Sequence, residues 1–369
     1  MLERLDAVNW HELEHAYGKA DDVPDLLRNL ASSNAQTRQN ALSELYSNIY
    51  HQGTVFEATV YAVPFLLELS QTETVQDRDL ILIYLAHLAR GHSYLEVHQD
   101  ALLYAEELHN SEFLTQIQQE MTWVRNVKLA VCNDPNIYLN LLGHSEPQLR
   151  AAAPYTLASC QPCSSEIVAR LKQCLSQESD PQVKASLIFS LGVLEPPESA
   201  SLQLFVSFLN SEDDLVQLAA AMTLARLAKD KTPPKAVAIL LGTIQNSVSI
   251  RALSNRFPWF NCDVVSDAIN FLSYLGAAGS FAIPALITAL ETVESYSVLS
   301  IVRSLLYLAF HGQRSAATTQ TITAEQRSVL EAIASCDNVW QFNTNMANIL
   351  KAFGLPEQRN QLQLFLING

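Results

Sequence analysis

Apolar residues recur along most of the chain at the three- and four-residue spacing of amphipathic helices, with short polar turns between the helical segments. Proline in the first turn of a helix loses no intrahelical hydrogen bond, because that amide would have no partner there anyway. Three segments carry a proline followed by leucines at helical spacing, and they predict three copies of one helix start: DVPDLLRNL (22–30), AVPFLLEL (62–69) and AIPALITAL (282–290).

A second phrase combines a polar turn, a basic or polar residue and small apolar residues at helical spacing. It occurs four times: NAQTRQNALSEL from Asn34, EPQLRAAAPYTL from Glu146, DPQVKASLIFSL from Asp180 and DDLVQLAAAMTL from Asp213. The acidic or amide residue in the turn suits the unpaired amides at a helix start. Arg150, Lys184 and Gln217 occupy the matching position, 34 and 33 residues apart. Helix pairs repeating at this period predict an all-α fold, an α-solenoid.

We therefore expect one solenoid of about seven or eight helix pairs over residues 1–369. Residues 1–20 and 354–369 are predicted to cap its ends, 91–142 to hold a degenerate repeat with an extra helix, and 251–265 to form an insertion. Alternation long enough to predict a β-sheet is missing, as is a Pro/Gly/Ser-rich linker.

The proline in the first helix, the acidic turn and the Arg or Lys early in the second helix resemble HEAT repeats, from Asp21 to about Phe353. LEHAYGKADDVPDLLRNL, followed by ALSELYSNIYHQGTVFEATVYAVPFLLEL, is similar to a group of uncharacterised bacterial HEAT-repeat proteins. The resemblance implies a scaffold for protein partners, and this group brings no established activity to carry over.

Charge is distributed unevenly along the chain. The net charge is -15, and residues 1–120 hold 19 Asp and Glu against 6 Lys and Arg, whereas residues 121–369 hold 19 against 17. A negative field attracts basic proteins and repels nucleic acid, although it also serves solubility alone. The longest nearly continuous apolar run, Leu80 to Ala89, is too short to span a membrane. We expect a cytoplasmic protein with a basic protein partner and no nucleic-acid or membrane binding.

Two short motifs suggest chemistry that their context does not support. HELEH (11–15) matches a zinc-protease signature, but the first repeat follows it directly and Glu14 is charged, so we interpret it as a solvated capping helix. CQPC (160–163) has redox spacing but spans a helix end and a turn, so we expect ordinary thiols. All six cysteines are expected to be reduced, and no metal or cofactor is predicted.

Three clusters of contact-forming side chains are candidate binding sites. The first surrounds the helix end that Gly53 is predicted to terminate; its alternative reading is that His51 and Gln52 bind helix-terminal carbonyls. The second lies in the loop after residue 90 and on the inserted helix, where His87, His92 and His98 leave a metal site as an alternative. The third cluster lies within RALSNRFPWF. Its alternative interpretation is that these side chains tether the insertion onto the solenoid. The candidate residues are Tyr46, Asn48, Tyr50, His51, Gln52 and Glu57 in the first cluster, His92, Tyr94, Trp123 and Arg125 in the second, and Arg256 and Trp259 in the third.

The predicted function is that of a non-enzymatic interaction scaffold or adaptor, with a toxin-neutralising protein as one form of it. The alternatives are a HEAT-like bilin lyase or chromophore-handling subunit and a DNA glycosylase-like enzyme, which would need a basic groove. No phosphate loop or nucleophile motif stands out, so no catalytic residue is predicted. The oligomeric state is left open.

Overall fold

The computed structural model describes residues 1–98, 110–161, 164–196, 201–245, 259, 264–292, 297–312 and 322–368. The chain divides into two compact units, residues 1–190 and residues 191–369. The described residues are helical apart from short turns and two small hairpins, so the prediction of an all-α fold built from helix pairs is confirmed. That all these pairs form one continuous solenoid with caps and insertions at the expected places stays a prediction.

Ten α-helices begin within the described residues of the first unit. They are α1 (Val23–Asn29), α2 (Ala35–Asn48), α3 (Glu57–Gln71), α4 (Arg78–Ala89), α5 (Tyr94–His98), α6 (Ser111–Cys132), α7 (Asn136–Leu141), α8 (Pro147–Ser159), α9 (Ser165–Gln177) and α10 (Pro181–Leu194). Helix α1 packs on α2, α3 on α4 and α7 on α8, and α4 also packs directly against α8. These contacts bury the apolar faces that the sequence periodicity predicts.

The second unit continues with shorter helices. They are α11 (Leu202–Phe208), α12 (Asp214–Ala228), α13 (Pro234–Gln245), α14 (Val264–Leu272), α15 (Ile283–Thr292), α16 (Ser297–Ala309), α17 (Ala324–Ser335), α18 (Asp337–Trp340), α19 (Asn343–Ala352) and α20 (Arg359–Asn368). Helix α12 is buried on most of its circumference, because small alanines let neighbouring helices approach from several sides. Across the described part of the chain, no helix combines the length and apolar character needed to cross a bilayer.

The repeated basic or polar residue of the second phrase has one structural role. Arg38 donates hydrogen bonds to the carbonyl oxygens of Ser32 and Ser33, at 2.9 and 3.2 Å. Arg150 donates in the same way to the carbonyls six and five residues before it, at 2.8 and 3.0 Å. Gln217 reaches the carbonyl of Ser211 at 2.6 Å. The position therefore ties the second helix of a repeat to the turn that precedes it.

The turn residues before these helices also act largely as predicted. Asn34 accepts a hydrogen bond from the amide of Thr37, and Asp180 and Asp213 each accept two from the first turns of their helices. Glu146 makes no such bond at the start of α8. The capping prediction is confirmed for three of the four turns.

The predicted role of proline as a helix start is wrong for AVPFLLEL. Pro24 and Pro284 lie in the first turns of α1 and α15, but Pro64 is in the interior of α3, which begins at Glu57. Helix α3 begins before the proline because Thr59 fixes the helix start. The Thr59 hydroxyl accepts a hydrogen bond from the Phe56 amide at 2.9 Å and donates one to the Ile49 carbonyl at 2.6 Å.

Two antiparallel hairpins, which the sequence did not predict, flank the first helices. Strand β1 (Glu14–His15) pairs with β2 (Gly18–Lys19), and β3 (Tyr50–His51) pairs with β4 (Thr54–Val55). Gly53 turns the second hairpin at φ 91°, whereas α2 ends at Asn48; the prediction that Gly53 terminates this helix is therefore wrong. Two-residue strands carry too little alternation to be recognised in a sequence.

The HELEH segment forms no α-helix, so the capping-helix interpretation is wrong. His11 lies in a 3-10 turn (Trp10–Glu12) and His15 in β1. His15 accepts a hydrogen bond from the Tyr17 amide at 3.0 Å, which leaves its other ring nitrogen to donate to Asp22 at 3.0 Å. The signature spacing thus places the two histidines in different structures and not on one helical face. The described residues also contain no group of three His, Cys, Asp or Glu side chains arranged to hold a metal ion.

The expectation that every cysteine is reduced is also wrong. Cys132, at the end of α6, and Cys160, directly after α8, form a disulfide bond across 28 residues. The Cα atoms of the two cysteines are 5.3 Å apart, so the bond links the end of α6 to the end of α8. Cys174 and Cys336 are free, and Cys163, the second cysteine of CQPC, lies outside the described residues.

Candidate recognition site

Side chains from α2, α4 and α8, and from the residues that follow α2 and α4, meet near the carboxyl ends of α2 and α4. We call this group the aromatic-arginine cluster; it consists of Tyr46, Tyr50, Tyr84, His87, Arg90 and Tyr155. The ring centroids of Tyr46 and Tyr84 are 4.4 Å apart, and His87 stacks on Tyr50 at 6.2 Å. Tyr155, on α8, meets His87 edge to face at 5.8 Å. Such offset and edge contacts are favourable arrangements of aromatic rings.

Local structure explains how these rings are presented. Tyr84 and His87 are three residues apart on α4 and share one helical face. Tyr46 lies near the end of α2, and Tyr50 follows in strand β3. Tyr84 is fully buried, and its hydroxyl donates to the carbonyl of Leu45 at 2.8 Å. This bond joins α4 to α2 below the more accessible members of the cluster.

His87 is held in its neutral form. Its Nδ1 lies 2.8 Å from the Tyr46 hydroxyl, and its Nε2 is buried with no hydrogen-bond partner among the described residues. Burial, and to a smaller extent the positive charge of Arg90, lowers the pKa of His87 to about 4. A neutral ring therefore stands between the tyrosines at physiological pH.

Arg90 is a half-buried cation that directly follows α4. Its Nη2 donates to the Tyr155 hydroxyl, its Nε lies 3.4 Å from the Ala86 carbonyl, and its Cζ is 4.7 Å from the centre of the Tyr155 ring. No carboxylate of the described residues forms an ion pair with it. Burial lowers the pKa of Arg90, because the charged form loses water without gaining a counter-ion.

The backbone after Arg90 is pressed against the second hairpin. Val55 donates to the His92 carbonyl at 3.0 Å, and the His92 amide donates to the Gly53 carbonyl at 2.9 Å. Gly91 lies between these contacts, and a Cβ there would come within 2.5 Å of Val55 Cγ1. Only glycine fits this approach, which fixes Arg90 beside the end of α2.

The amino-terminal ends of α2 and α4 look different. They enclose a pocket of about 230 Å³ lined mainly by Leu30, Leu42, Leu80 and Ile81. Arg38 and Asp77 also line it, and Arg38 Nε donates to Asp77 at 2.6 Å. Helices α2 and α4 therefore have two different ends. Their amino-terminal ends hold an apolar pocket and an arginine that is paired with a carboxylate. Their carboxyl-terminal ends hold aromatic rings and an arginine without a carboxylate partner among the described residues.

Comparison with known proteins identifies the repeat in the middle of the chain. A sequence profile described as HEAT repeats matches residues 168–254. Comparison with curated protein sequences gives no significant match. Among solved structures, an engineered protein aligns over 94% of this chain and 97% of its own at 17% identity, with a TM-score of 0.29 that is too low to indicate a shared fold.

The HEAT match lies outside the first predicted cluster, whose residues the structure divides between two locations. Tyr46 and Tyr50 belong to the aromatic-arginine cluster. Asn48 is buried and donates to Asp22. His51 lies 3.1 Å from the Ser47 carbonyl, the contact of the capping alternative.

Three further predicted positions lie near the hairpins. His51 also meets the exposed Tyr17 ring, with centroids 5.4 Å apart. Gln52 is exposed in the hairpin turn with φ 51°, and Glu57 is half-buried at the start of α3. A binding role for these residues stays a prediction.

The other predicted clusters are only partly described. His92 is exposed and lies two residues after Arg90, whereas the rings of Tyr94 and His98 on α5 are tilted, with centroids 4.4 Å apart. On α6, Trp123 is half-buried and Arg125 exposed. Trp259 is buried, whereas Arg256 lies outside the described residues.

Sequence reasoning missed Arg90 and Tyr155. HEAT-like periodicity shows which residues share a face of one helix, but it does not show that α4 packs directly on α8, 65 residues further along. His87 lies on the same face of α4 as Tyr84 and not with the loop histidines, as its three-residue spacing from Tyr84 indicates.

Proposed function

We propose that the protein is a non-enzymatic interaction scaffold, an adaptor or a toxin-neutralising protein, whose first unit docks a basic protein partner. HEAT repeats in general form protein-interaction scaffolds, and residues 168–254 supply that general support. The finer proposal depends on the charge that the first unit exposes.

Residues 1–98 expose far more negative than positive side chains. Ten carboxylates are exposed: Glu3, Asp6, Glu12, Glu14, Asp21, Asp22, Asp25, Glu44, Glu73 and Asp77. Of the cations in the same range, Arg38 and Arg78 are buried and Arg90 is half-buried. Lys19 and Arg28 are exposed but paired with Glu14 and with Asp6 and Asp25. This leaves Arg4 as the exposed cation without an ion pair among these residues, and the exposed side chains of residues 1–98 are strongly acidic, ten carboxylates against three cations.

Such a field accelerates encounter with a positively charged protein and opposes nucleic acid. The decisive experiment compares two charge-reversed triple variants in pull-downs from the native host, read by mass spectrometry. One carries E3K, E44K and E73K in the first unit. The matched control carries E212K, E331K and E357K in the second unit. All six glutamates are exposed, so both variants change the net charge equally.

The expected result is a stoichiometric basic partner that the wild type and the control retain and the first-unit variant loses. Raising NaCl to about 0.5 M should release it, because salt screens charges between exposed surfaces. Retention of the partner by the first-unit variant, or binding that salt does not weaken, would contradict a role for the acidic surface.

A further inference from the structure

Arg90 differs in its partners from the arginines and lysine of the first unit that have a carboxylate neighbour. Lys19, Arg28, Arg38 and Arg150 each have a carboxylate oxygen within 3.0 Å or closer. Arg78 lies 4.0 Å from Glu146 and also contacts His144. Arg90 is half-buried, and its described neighbours are a carbonyl, tyrosine rings and hydroxyls, and a neutral histidine.

We propose that Arg90 binds a carboxylate group of the docked partner, an Asp or Glu side chain or a chain terminus, with the Tyr50 hydroxyl as a second donor. This rests on the proposed function, because it names the group that the scaffold recognises. A guanidinium presents a planar fork of donors that matches the two oxygens of a carboxylate. The two donors of Arg90 already used, Nη2 and Nε, face Tyr155 and the end of α4.

Desolvation favours this occupant. A half-buried cation without a counter-ion has lost part of its hydration and regains that interaction when an anion binds. Tyr155 links Arg90 to His87, which contacts both Tyr46 and Tyr50, and the Tyr50 hydroxyl has no hydrogen-bond partner among the described residues. Arginine surrounded by tyrosines is also the composition of an interface hot spot.

The charges around Arg90 favour a protein carboxylate over a phosphate as the bound group. A doubly charged phosphate needs several cations, whereas this cluster offers one within a strongly acidic surface. That surface also repels free small anions at long range, so a carboxylate reaches Arg90 most readily when a basic partner carries it. The acidic surface then provides encounter and the cluster provides a local contact of defined geometry.

The binding chemistry is testable without the partner, by NMR of the arginine Nε–H signals during titration with phenylacetate. Phenylacetamide has the same shape without the charge, and inorganic phosphate provides the second anion. The expected result is a saturable shift of the Arg90 signal with phenylacetate, and at least a tenfold weaker response to phenylacetamide and phosphate. Equal responses to the acid and the amide, or stronger binding of phosphate, would overturn the proposal.

Variants separate recognition from general charge. R90Q should abolish the phenylacetate response of neighbouring signals, and R28Q, which removes the same charge from an exposed arginine, should retain it. R90K keeps the charge without the planar fork, and a several-fold weaker response is expected. If R90Q fails to fold, R90K and the amide comparison still decide the outcome. The titration contains no partner, so its failure would leave the charge-reversal test of the scaffold unaffected.

Discussion

Arg38 and Arg90 lie at opposite ends of the same two helices and have opposite surroundings. At the amino-terminal ends of α2 and α4, Arg38 is buried and donates to Asp77 and to two turn carbonyls. At the carboxyl-terminal ends, Arg90 is half-buried against Tyr155 and has no carboxylate partner among the described residues. The first arginine has a carboxylate partner within the fold, whereas the second has none among the described residues.

The difference shows why residue type alone does not identify a binding site. Each hydrogen bond to a charged group contributes about 1.5–3 kcal/mol when it is well formed, so the Arg38 contacts stabilise the first unit directly. A half-buried charge without a counter-ion contributes little or nothing to folding until an anion arrives. We therefore expect variants at the two ends to affect stability and binding in opposite proportions.

The largest expected effect concerns the disulfide that ties α6 to the end of α8. Closing a 28-residue loop is expected to stabilise the folded state by about 3 to 4 kcal/mol, mostly through the entropy of the unfolded chain. The double variant C132S/C160S should lower the urea midpoint accordingly, and C174S, which removes a free cysteine, should not. The same midpoint for oxidised and reduced wild type would show that the bond does not form in solution.

The second largest effect is expected when Arg38, the arginine paired with Asp77, is replaced. R38A should destabilise the first unit by about 3 kcal/mol, because it leaves Asp77 and two turn carbonyls without their donor. R28A removes an exposed arginine that also has ion pairs and serves as the control, with little change expected. Equal urea midpoints for the two variants would remove the distinction between a structural and a surface arginine in this unit.

How much of this contrast the sequence predicts depends on the range of the interactions. The role of Arg38 follows from the spacing of the phrase, because the contacts with its own turn are only five and six residues away. Tyr46 and Tyr50 were recognised as candidate residues because they are surplus to the apolar face of α2. Arg90 and Tyr155 were not, because their contact spans 65 residues and depends on how helices pack. The hairpins that complete the site are too short to leave a pattern.

The third prediction concerns His87 and tests whether burial in the aromatic-arginine cluster keeps its imidazole ring neutral. Its folded pKa of about 4 lies below its ordinary value of 6.5, so the unfolded chain takes up a proton first as the pH falls. The stability that His87 contributes is fully present above pH 6.5 and is lost as the pH falls from there to about 4, an effect of about 2 to 3 kcal/mol.

The measurement for His87 is the difference in acid sensitivity between wild type and H87F, from urea midpoints at pH 7 and near pH 4. Carboxylates also titrate in this range, but they do so in both proteins, and the comparison isolates His87. H11Q removes an exposed histidine and should behave as wild type. If H87F loses as much stability on acidification as wild type, His87 is not held neutral by burial.

The smallest expected effect on stability is that of replacing Arg90. This variant tests most directly whether Arg90 differs from Arg38 at the other end of α2 and α4. R90Q loses the contacts with Tyr155 and Ala86 but also removes a half-buried charge that has no counter-ion. These contributions oppose each other, and we expect a net change below about 1 kcal/mol in the absence of ligand. Phenylacetate at saturating concentration should then raise the urea midpoint of wild type and leave that of R90Q unchanged, because a ligand stabilises only the state that binds it. A loss as large as that of R38A, with no ligand effect on wild type, would place Arg90 among the structural arginines and assign both ends of the helix pair to folding alone.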